Sequence, residues 1–472
     1  MRTASDRGRP RYTGPVIASH LRRACAVRRG RLEALLSNVP AVIPAGRARP
    51  RNYAANTHPF RASSHFLYLV GAPLEGAALF IDEGSSVLLV PDHDAHDHLW
   101  HGPTPSHAEL TEQTGLPVQS MRALDALRGD RTLATIPPLD HAEAEHWARL
   151  LARPVDELGA HRSDEPLLEA LVKLRLTHDE AAIDELRRAA EASVRAHLVG
   201  MGATRPGRHE REVCAEMEAV FARRGFGTAY NSIVSVHGEV LHNHHHHLRM
   251  EAGDLLLADV GAETDTGYAA DITRTWPVSG KFTSSQRALY ELVLEVQEAC
   301  IAKVRPGTRY RDVHLTAART LAEGLVRLGI LRGEPDGLVE RGIHALFLPH
   351  GIGHLLGLDV HDMEDLGDRA GYAPGLARDA QFGLSYLRLD RVLSPGMAVT
   401  IEPGFYQVPL LLSQPERVGL DGSVLNRQRL AAFADVRGIR IEDDVLITEH
   451  GNDVMTGGLA KEPAAIEEAM RA

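Results

Sequence analysis

The sequence predicts a mixed α/β (α+β) protein of two domains, the smaller one at the amino terminus. Three observations lead there. Between Val39 and Pro91, short apolar runs such as Val39 to Pro44 and Ser86 to Pro91 alternate with turn formers, as in a mixed sheet. From Glu165 onward, apolar residues recur at helical spacing in long segments punctuated by glycine. The chain has 472 residues, 44% hydrophobic and 24% charged, enough for two or three domains with substantial cores.

In chain order, residues 1 to 31 hold nine arginines against one acid, Asp6. They have neither the apolar stretch nor the small-residue cleavage site of a secretory signal. We read residues 1–15 as a disordered basic extension, running into a helix from Ile17 to Asn38. A first domain is expected over 16–165 and a second over 175–460. Glu165 to Gly207 carries one long helical pattern, with Leu171, Leu174, Leu176, Ile183 and Leu186, and ends at Arg205-Pro206-Gly207. A helix from Arg208 to Arg224 then stops at Gly225 and Gly227. Arg305-Pro306-Gly307 recurs one hundred residues later, between helices expected at Ser284 to Val304 and Tyr310 to Leu328. The shared helix, turn, helix context hints at a duplication, and two similar halves would place a site between them.

The segment Asp254 to Pro277 reads as a hairpin. Leu255 to Leu257 form a strand delivering Asp259, Thr264 to Gly267 are turn formers, and Tyr268 to Thr275 alternate like a returning strand. Two carboxylates, Asp259 and Asp271, are thereby brought close. Either both are solvated turn residues, or they are buried and compensated by a cation, because like charges in a low-dielectric site raise each other's pKa. Three later segments repeat the theme. L-F-L-P-H-G-I-G-H-L-L-G-L-D-V-H-D contains His354, M-A-V-T-I-E-P-G-F-Y contains Glu402, and G-I-R-I-E-D-D-V-L-I-T contains Glu442. Two Asp, two Glu and one His make a mostly hard-oxygen set, suited to Mn, Fe, Co or Zn in pairs rather than to a structural zinc site.

These five residues, with the motifs H-G-I-G-H-L-L-G-L-D-V-H-D, I-E-P-G and R-I-E-D-D, resemble the dinuclear metallopeptidases of the pita-bread fold, peptidase family M24. Within it the chain looks like the Xaa-Pro aminopeptidases (aminopeptidase P) and is similar to the Xaa-Pro dipeptidases (prolidases). P-F-R-A-S-S-H-F-L-Y-L-V-G (Pro59 to Gly71) and L-W-H-G (Leu99 to Gly102) look like the amino-terminal domain of that branch. The resemblance spans about Arg22 to Glu467. It implies a pita-bread catalytic domain after a smaller mixed α/β domain. It also implies two divalent ions, Mn²⁺ first and Co²⁺, Fe²⁺ or Zn²⁺ as alternatives, on Asp259, Asp271, His354, Glu402 and Glu442. His242 and His361 with Glu402 would serve catalysis, and His350 would bind substrate. Arg440 shares a strand face with Glu442 and would grip a carboxylate, either a ligand's or the substrate's. The implied activity is removal of the first residue from peptides with proline second, by hydroxide held between the metals. A dipeptidase is the alternative. A methionine aminopeptidase would not need the first domain, and a non-catalytic binding module would have lost ligands. One departure stands out: the two aspartates are twelve apart, one more than is familiar in the family, which points to an insertion in the turn at Thr264 to Gly267.

Other features bound the partners. A net charge of −11 argues against nucleic acid, and no apolar run is long enough to cross a bilayer. Cys25, Cys214 and Cys300 follow no metal or redox spacing, so they read as packing thiols in a reducing compartment, the cytoplasm. His244 to His247 read as a solvated loop, with metal storage as the other possibility. Gly351, Gly353 and Gly357 miss the spacing of a dinucleotide loop and instead allow close backbone approach near His354. Met363 to Pro395 reads as an insertion or lid containing the aminopeptidase-like run Phe382 to Leu389, and Val408 to Asp435 as a second excursion. Trp100 is read as a packed interface aromatic or, by the resemblance, as a wall of the substrate site across a subunit contact in a homo-oligomer.

Overall fold

The computed structural model describes residues 17–93, 99–100 and 102–471. The basic extension assigned to residues 1–15 lies outside them. The chain divides into two compact units, Met1–Leu174 and Arg175–Ala472.

The first unit opens with a helix at Ser19–Leu36, within the expected span. Its arginines are not all a solvated face. Arg28 and Arg29 are buried, and their guanidinium groups donate to the carbonyls of Tyr68 (3.2 Å) and Leu69 (2.6 Å), so the charge is satisfied by backbone oxygens. Five strands follow: β1 (Ala41–Pro44), β2 (Ala78–Asp82), β3 (Ser85–Val90), β4 (Val118–Ser120) and β5 (Ala134–Thr135), in the order β4-β3-β2-β1-β5. The β1/β2 and β2/β3 pairs are antiparallel and the outer two parallel, giving the mixed sheet that the alternating runs predict. Val42, Phe80, Leu89 and Trp147 pack in its core.

The second unit holds the helix pairs around both R-P-G turns. Where one long helix is expected from Glu165, the chain makes two, Glu165–Arg175 and Glu180–Ala203. Asp179 starts the second by accepting the Ala182 N–H at 3.0 Å, a competing local bond that a helical pattern does not reveal. The other helices lie at Glu210–Arg223, Ser284–Lys303 and Tyr310–Arg327, inside their expected spans. The two turns are built alike. Gly207 and Gly307 adopt φ of +92° and +85°, and their N–H groups donate to Met250 and Leu393 at 2.8 and 2.9 Å. Isolated antiparallel bridges follow at His209↔Arg249 and Arg309↔Val392.

The strands of this unit are β6 (Gly227–Thr228), β7 (Ile233–Ser235), β8 (Leu255–Asp259), β9 (Ala262–Glu263), β10 (Thr273–Pro277), β11 (Ala398–Ile401), β12 (Gly404–Tyr406), β13 (Gly438–Arg440), β14 (Asp443–Ile447) and β15 (Asn452–Val454). Two antiparallel sheets, β10-β8-β7 and β11-β14-β15, are accompanied by the short antiparallel pairs β12-β13 and β6-β9. The returning strand of the hairpin begins at Thr273, opposite Asp259, not at Tyr268. Before it the chain leaves regular pairing: Gly261 presses on the Ala270 carbonyl, where a Cβ would lie 1.8 Å from the oxygen. The turn itself is at Thr264 to Gly267, closed by the Gly267 N–H on the Thr264 carbonyl at 2.9 Å.

Candidate active site

The second unit encloses a cavity of roughly 930 Å³ whose lining includes Asp259, Asp271, His354, Glu402 and Glu442, together with His242, His350, His361 and Arg440. The carboxylates arrive at or beside the ends of strands, whereas His354 stands in an irregular segment. Asp259 is the last residue of β8, and Glu402 follows β11 directly. Asp271 lies two residues before β10, and Glu442 bridges β13 and β14. Arg440 and Glu442 are therefore not in one continuous strand as expected. The Glu442 N–H crosses to the Thr273 carbonyl at 3.0 Å, which ties the second sheet to the first. The glycine before His354 is forced: Gly353 has φ +153°, and a Cβ there would meet the Thr400 carbonyl oxygen and Tyr310 Oη at 2.3 Å.

Negative charge is concentrated and only partly answered. Arg440 donates to Asp259 Oδ2 at 2.5 Å, to Tyr406 Oη at 3.0 Å and to Thr273 Oγ1 at 2.9 Å. Asp259 is one of the carboxylates that the motifs put forward as metal ligands. Tyr230 Oη lies 2.5 Å from Asp259 Oδ1 and 2.6 Å from Asp271 Oδ1, so a single proton serves two carboxylates. Thr273 Oγ1 donates to Glu442 Oε2 at 2.7 Å, while Glu442 Oε1 is buried without a hydrogen-bond partner. Oxygen or nitrogen atoms of Asp271, His354 and Glu442 all fall within 4.8 Å of one another.

The titration of these groups follows from that arrangement. Burial pushes Asp259 up to about 6, Arg440 opposing and Asp271 reinforcing. Burial takes Glu402 up to about 7 and holds Glu442 well above the usual carboxylate range, with Asp271 and Glu402 adding to the effect on Glu442. Asp271 differs. Burial also opposes its charge, but the hydrogen bond and charge of His354 prevail and hold it below its ordinary value. Three buried carboxylates that resist ionisation around one guanidinium and one imidazole form a site short of positive charge.

Histidine geometry fits a cation there. His354 Nδ1 faces the Leu355 carbonyl at 3.0 Å, which assigns a proton to Nδ1, and Nε2 is directed at Asp271 (3.4 Å) and Glu402 (3.8 Å), where a bound ion would take the place of the proton that Nε2 shares with Asp271. An orphaned carboxylate oxygen, a correctly protonated imidazole and hard oxygen donors are what a divalent ion requires. His361 packs edge-on against His354, ring centroids 4.3 Å apart. His350 has both ring nitrogens engaged, Nδ1 with the Gly351 carbonyl at 2.7 Å and Nε2 with Tyr406 Oη at 2.9 Å. Burial, then Arg440, lower its pKa to about 3.

Comparison with known proteins identifies the arrangement. Residues 184–449 match metallopeptidase family M24, and residues 25–130 match the aminopeptidase P N-terminal domain. The chain belongs to metallopeptidase family M24. Among relatives, Xaa-Pro aminopeptidase 1 of Streptomyces coelicolor is 34% identical over 95% of this chain and 87% of its own length. Xaa-Pro aminopeptidase of Escherichia coli is 32% identical over 88% of this chain and 90% of its own. Among solved structures, the Pseudomonas aeruginosa aminopeptidase PepP superposes with a TM-score of 0.78 at 30% identity, covering 95% of this chain and 98% of that one. Zinc-substituted E. coli aminopeptidase P in complex with product gives 0.77 at 30% identity, with the same coverage. This M24 chain is a hydrolase that binds divalent metal, with a pita-bread catalytic domain behind an aminopeptidase P N-terminal domain, as the motifs imply.

The structure also shows what the motifs of this M24 chain do not announce. Tyr230, Thr273 and Tyr406 hold the carboxylates and Arg440 but stand in no recognisable pattern. Arg378, Phe382, Tyr386 and Arg388 of the expected insertion line the cavity, as do Val408, Leu410 and Leu411 of the second excursion. Within the histidine-rich stretch, His242 and His244 reach the cavity with stacked rings 6.4 Å apart. His244, His245 and His247 are exposed, while His246 is half-buried and meets the Ser232 carbonyl at 2.8 Å.

Proposed function

We propose that the chain removes the first residue from peptides whose second residue is proline, at the cavity that contains Asp259, Asp271, His354, Glu402 and Glu442. It is a metal-dependent Xaa-Pro aminopeptidase. The observation that carries this is the under-compensated carboxylate cluster, in a chain whose likeness to Xaa-Pro aminopeptidases extends over 95% of its length. The dipeptidase alternative has no comparable support.

We assign two divalent ions to the five residues, with manganese first because four of the five donors are carboxylates. Bound there, such ions supply Lewis acidity and a water of lowered pKa. The remaining roles belong to the protein. Glu402, which lines the cavity beside His354 and Asp271, is assigned to accept a proton from the attacking water while staying a ligand. His361 and His242 line the cavity and are both held neutral, by burial first and then by His354 and Arg440 respectively. We assign them to hold the developing oxyanion and to deliver a proton to the leaving proline nitrogen. His350 binds the substrate with its neutral ring fixed by Tyr406, and Arg440 orients Asp259, with a substrate contact from its remaining N–H groups. An amide before proline is tertiary and lacks an N–H, so recognition falls on the ring and the carbonyl.

The three cysteines are buried and form no disulfide, which supports a reducing, cytoplasmic setting. No helix among the described residues is long and apolar enough to cross a membrane. Leu99 and Trp100, 74% and 69% exposed, support a homo-oligomer that covers them.

The test is incubation of purified protein and Mn²⁺ with Ala-Pro and Ala-Pro-Ala-Ala, beside a chelated control, with products read by mass spectrometry. Release of alanine from the longer peptide, abolished by chelator, is expected. Cleavage of Ala-Pro alone would move the assignment to a dipeptidase, and cleavage of neither would overturn it.

A further inference from the structure

Five carboxylates line the cavity, and four of them belong to the metal cluster. The fifth is Glu239. Its side chain is only 10% exposed, and it stands in a loop anchored from two directions. Gly238 lies against β13, where a Cβ would come 2.9 Å from the Gly438 carbonyl oxygen. The Val240 N–H closes a turn on the His237 carbonyl at 2.9 Å. The two side chains beside Glu239 both go to the same oxygen: His237 Nδ1 is 2.8 Å and Arg437 Nη1 3.2 Å from Oε1, and Arg437 Nη1 is also 3.0 Å from His237 Nδ1. The other oxygen, Oε2, is buried with no hydrogen-bond partner.

A buried carboxylate oxygen without a donor is costly, and the cost is recovered when a donor arrives. Among the described residues nothing supplies that donor to Oε2, and the proposed metal ligands do not include this residue. The side chain borders the space where a peptide would lie, alongside Asn231, Leu241 and His242. On the opposite sign, the cavity lining offers Arg378 and Arg388 from the insertion. The cavity wall thus has one acid of its own outside the metal cluster.

We propose that Glu239 is a specificity-determining residue whose free oxygen accepts a cationic N–H group of the peptide. This rests on the peptidase reading of the cavity. The chemistry is an ammonium or guanidinium, with two sources on a substrate: the α-ammonium of the first residue, or a basic side chain at the first or third position. A hydrogen bond to a charged group is worth about tenfold or more in binding.

The experiment compares the manganese-loaded wild type with Glu239→Gln, an isosteric change that removes the charge. Steady-state kcat and KM are measured on Ala-Pro-Ala, Arg-Pro-Ala and Ala-Pro-Arg, and on counterparts in which citrulline replaces arginine. A rise of about tenfold in KM on every peptide, with kcat kept, identifies the α-ammonium. A loss confined to one arginine peptide and absent from its citrulline partner identifies that side chain. Values within twofold on all peptides overturn the proposal. So does a uniform fall in kcat accompanied by lower metal content or melting temperature, since that marks a structural residue. Should the variant fail to fold, Glu239→Asp and the wild type's own arginine-to-citrulline ratios replace it. Unchanged kinetics in Glu239→Asp together with ratios below twofold count against the proposal. Failure of the wild type to cleave Ala-Pro-Ala would instead refute the peptidase reading, and this inference with it.

Discussion

Glu442 and Asp443 are neighbours in the chain, and both are buried, yet their surroundings are opposite. Asp443 is saturated. It accepts from Arg274 at 2.7 Å, Gln297 at 2.7 Å and Thr456 at 2.8 Å, with Lys461 at 3.4 Å. Burial opposes its charge, but Arg274 and Lys461 outweigh burial and hold it below the usual carboxylate range. Glu442 has one donor, Thr273, and an orphaned oxygen, and is held well above that range. Burial is common to both, so it does not mark the functional carboxylate. What separates them is whether the fold itself completes the coordination. Asp443 is finished by the protein and fastens it; Glu442 is left incomplete, and under the proposed metal assignment an incoming cation finishes it.

Breaking each carboxylate should therefore fail in a different way. Asp443→Ala strands Arg274, whose side chain is fully buried, and removing one partner of a buried pair costs about 3–5 kcal/mol. Urea unfolding should show that loss with or without metal. Glu442→Ala should lose at least about 100-fold in kcat/KM, more than substitution of an outer partner typically costs, and part of its bound metal by elemental analysis. In chelator it should melt no lower than the wild type, because it relieves an unpaired buried acid. A Glu442→Ala protein as unstable as Asp443→Ala would erase the distinction. Thr273→Val sharpens it further: losing the hydroxyl that orients Glu442 Oε2 and Arg440 should weaken metal affinity about 10–100-fold while the fold persists.

The same contrast explains what could be read from the sequence. All five ligand candidates stand in short motifs, and the structure brings them to one cavity, the carboxylates at or near strand ends and His354 in the glycine-rich segment. The two halves also announce themselves. Measured from the bridges at Arg249 and Val392, the chain reaches Asp259 and Glu402 after the same number of residues, so the repeated R-P-G turns mark equivalent frameworks. The outer partners are invisible to such reading. Tyr230 meets Asp271 from 41 positions away, and Arg440 meets Asp259 from 181, with no local pattern to connect them. Asp179, which divides the first long helix, and Gly261, which delays the returning strand, act through single bonds and contacts that periodicity averages away.

Protons provide a smaller test of the incomplete site. Glu402 has a folded pKa raised to about 7 from an ordinary value near 4.5. Its favourable contribution is full below the unfolded pKa and is lost as pH rises through the folded one. Glu402→Gln carries no such penalty. In chelator, the variant should gain stability over the wild type as pH goes from about 5 to about 7.5, by at most about 3 kcal/mol. A difference independent of pH would refute the assignment of a displaced proton there. With metal present the order should reverse, because the ion takes the place of the proton and the glutamine cannot hold it.

The smallest effect belongs to the histidine-rich stretch. His244, His245 and His247 are exposed, and among the described residues they belong to no cluster such as Asp271, His354 and Glu442 provide. Replacing His245 and His247 with serine should leave kcat/KM within about twofold and stability within about 0.5 kcal/mol, the usual range for surface changes. Weak metal uptake at high concentration should fall, since exposed imidazoles bind loosely without a completed shell. If those replacements instead removed metal essential for turnover, exposed side chains would rank with Glu442, and incomplete burial would have to replace incomplete coordination as the mark of the site.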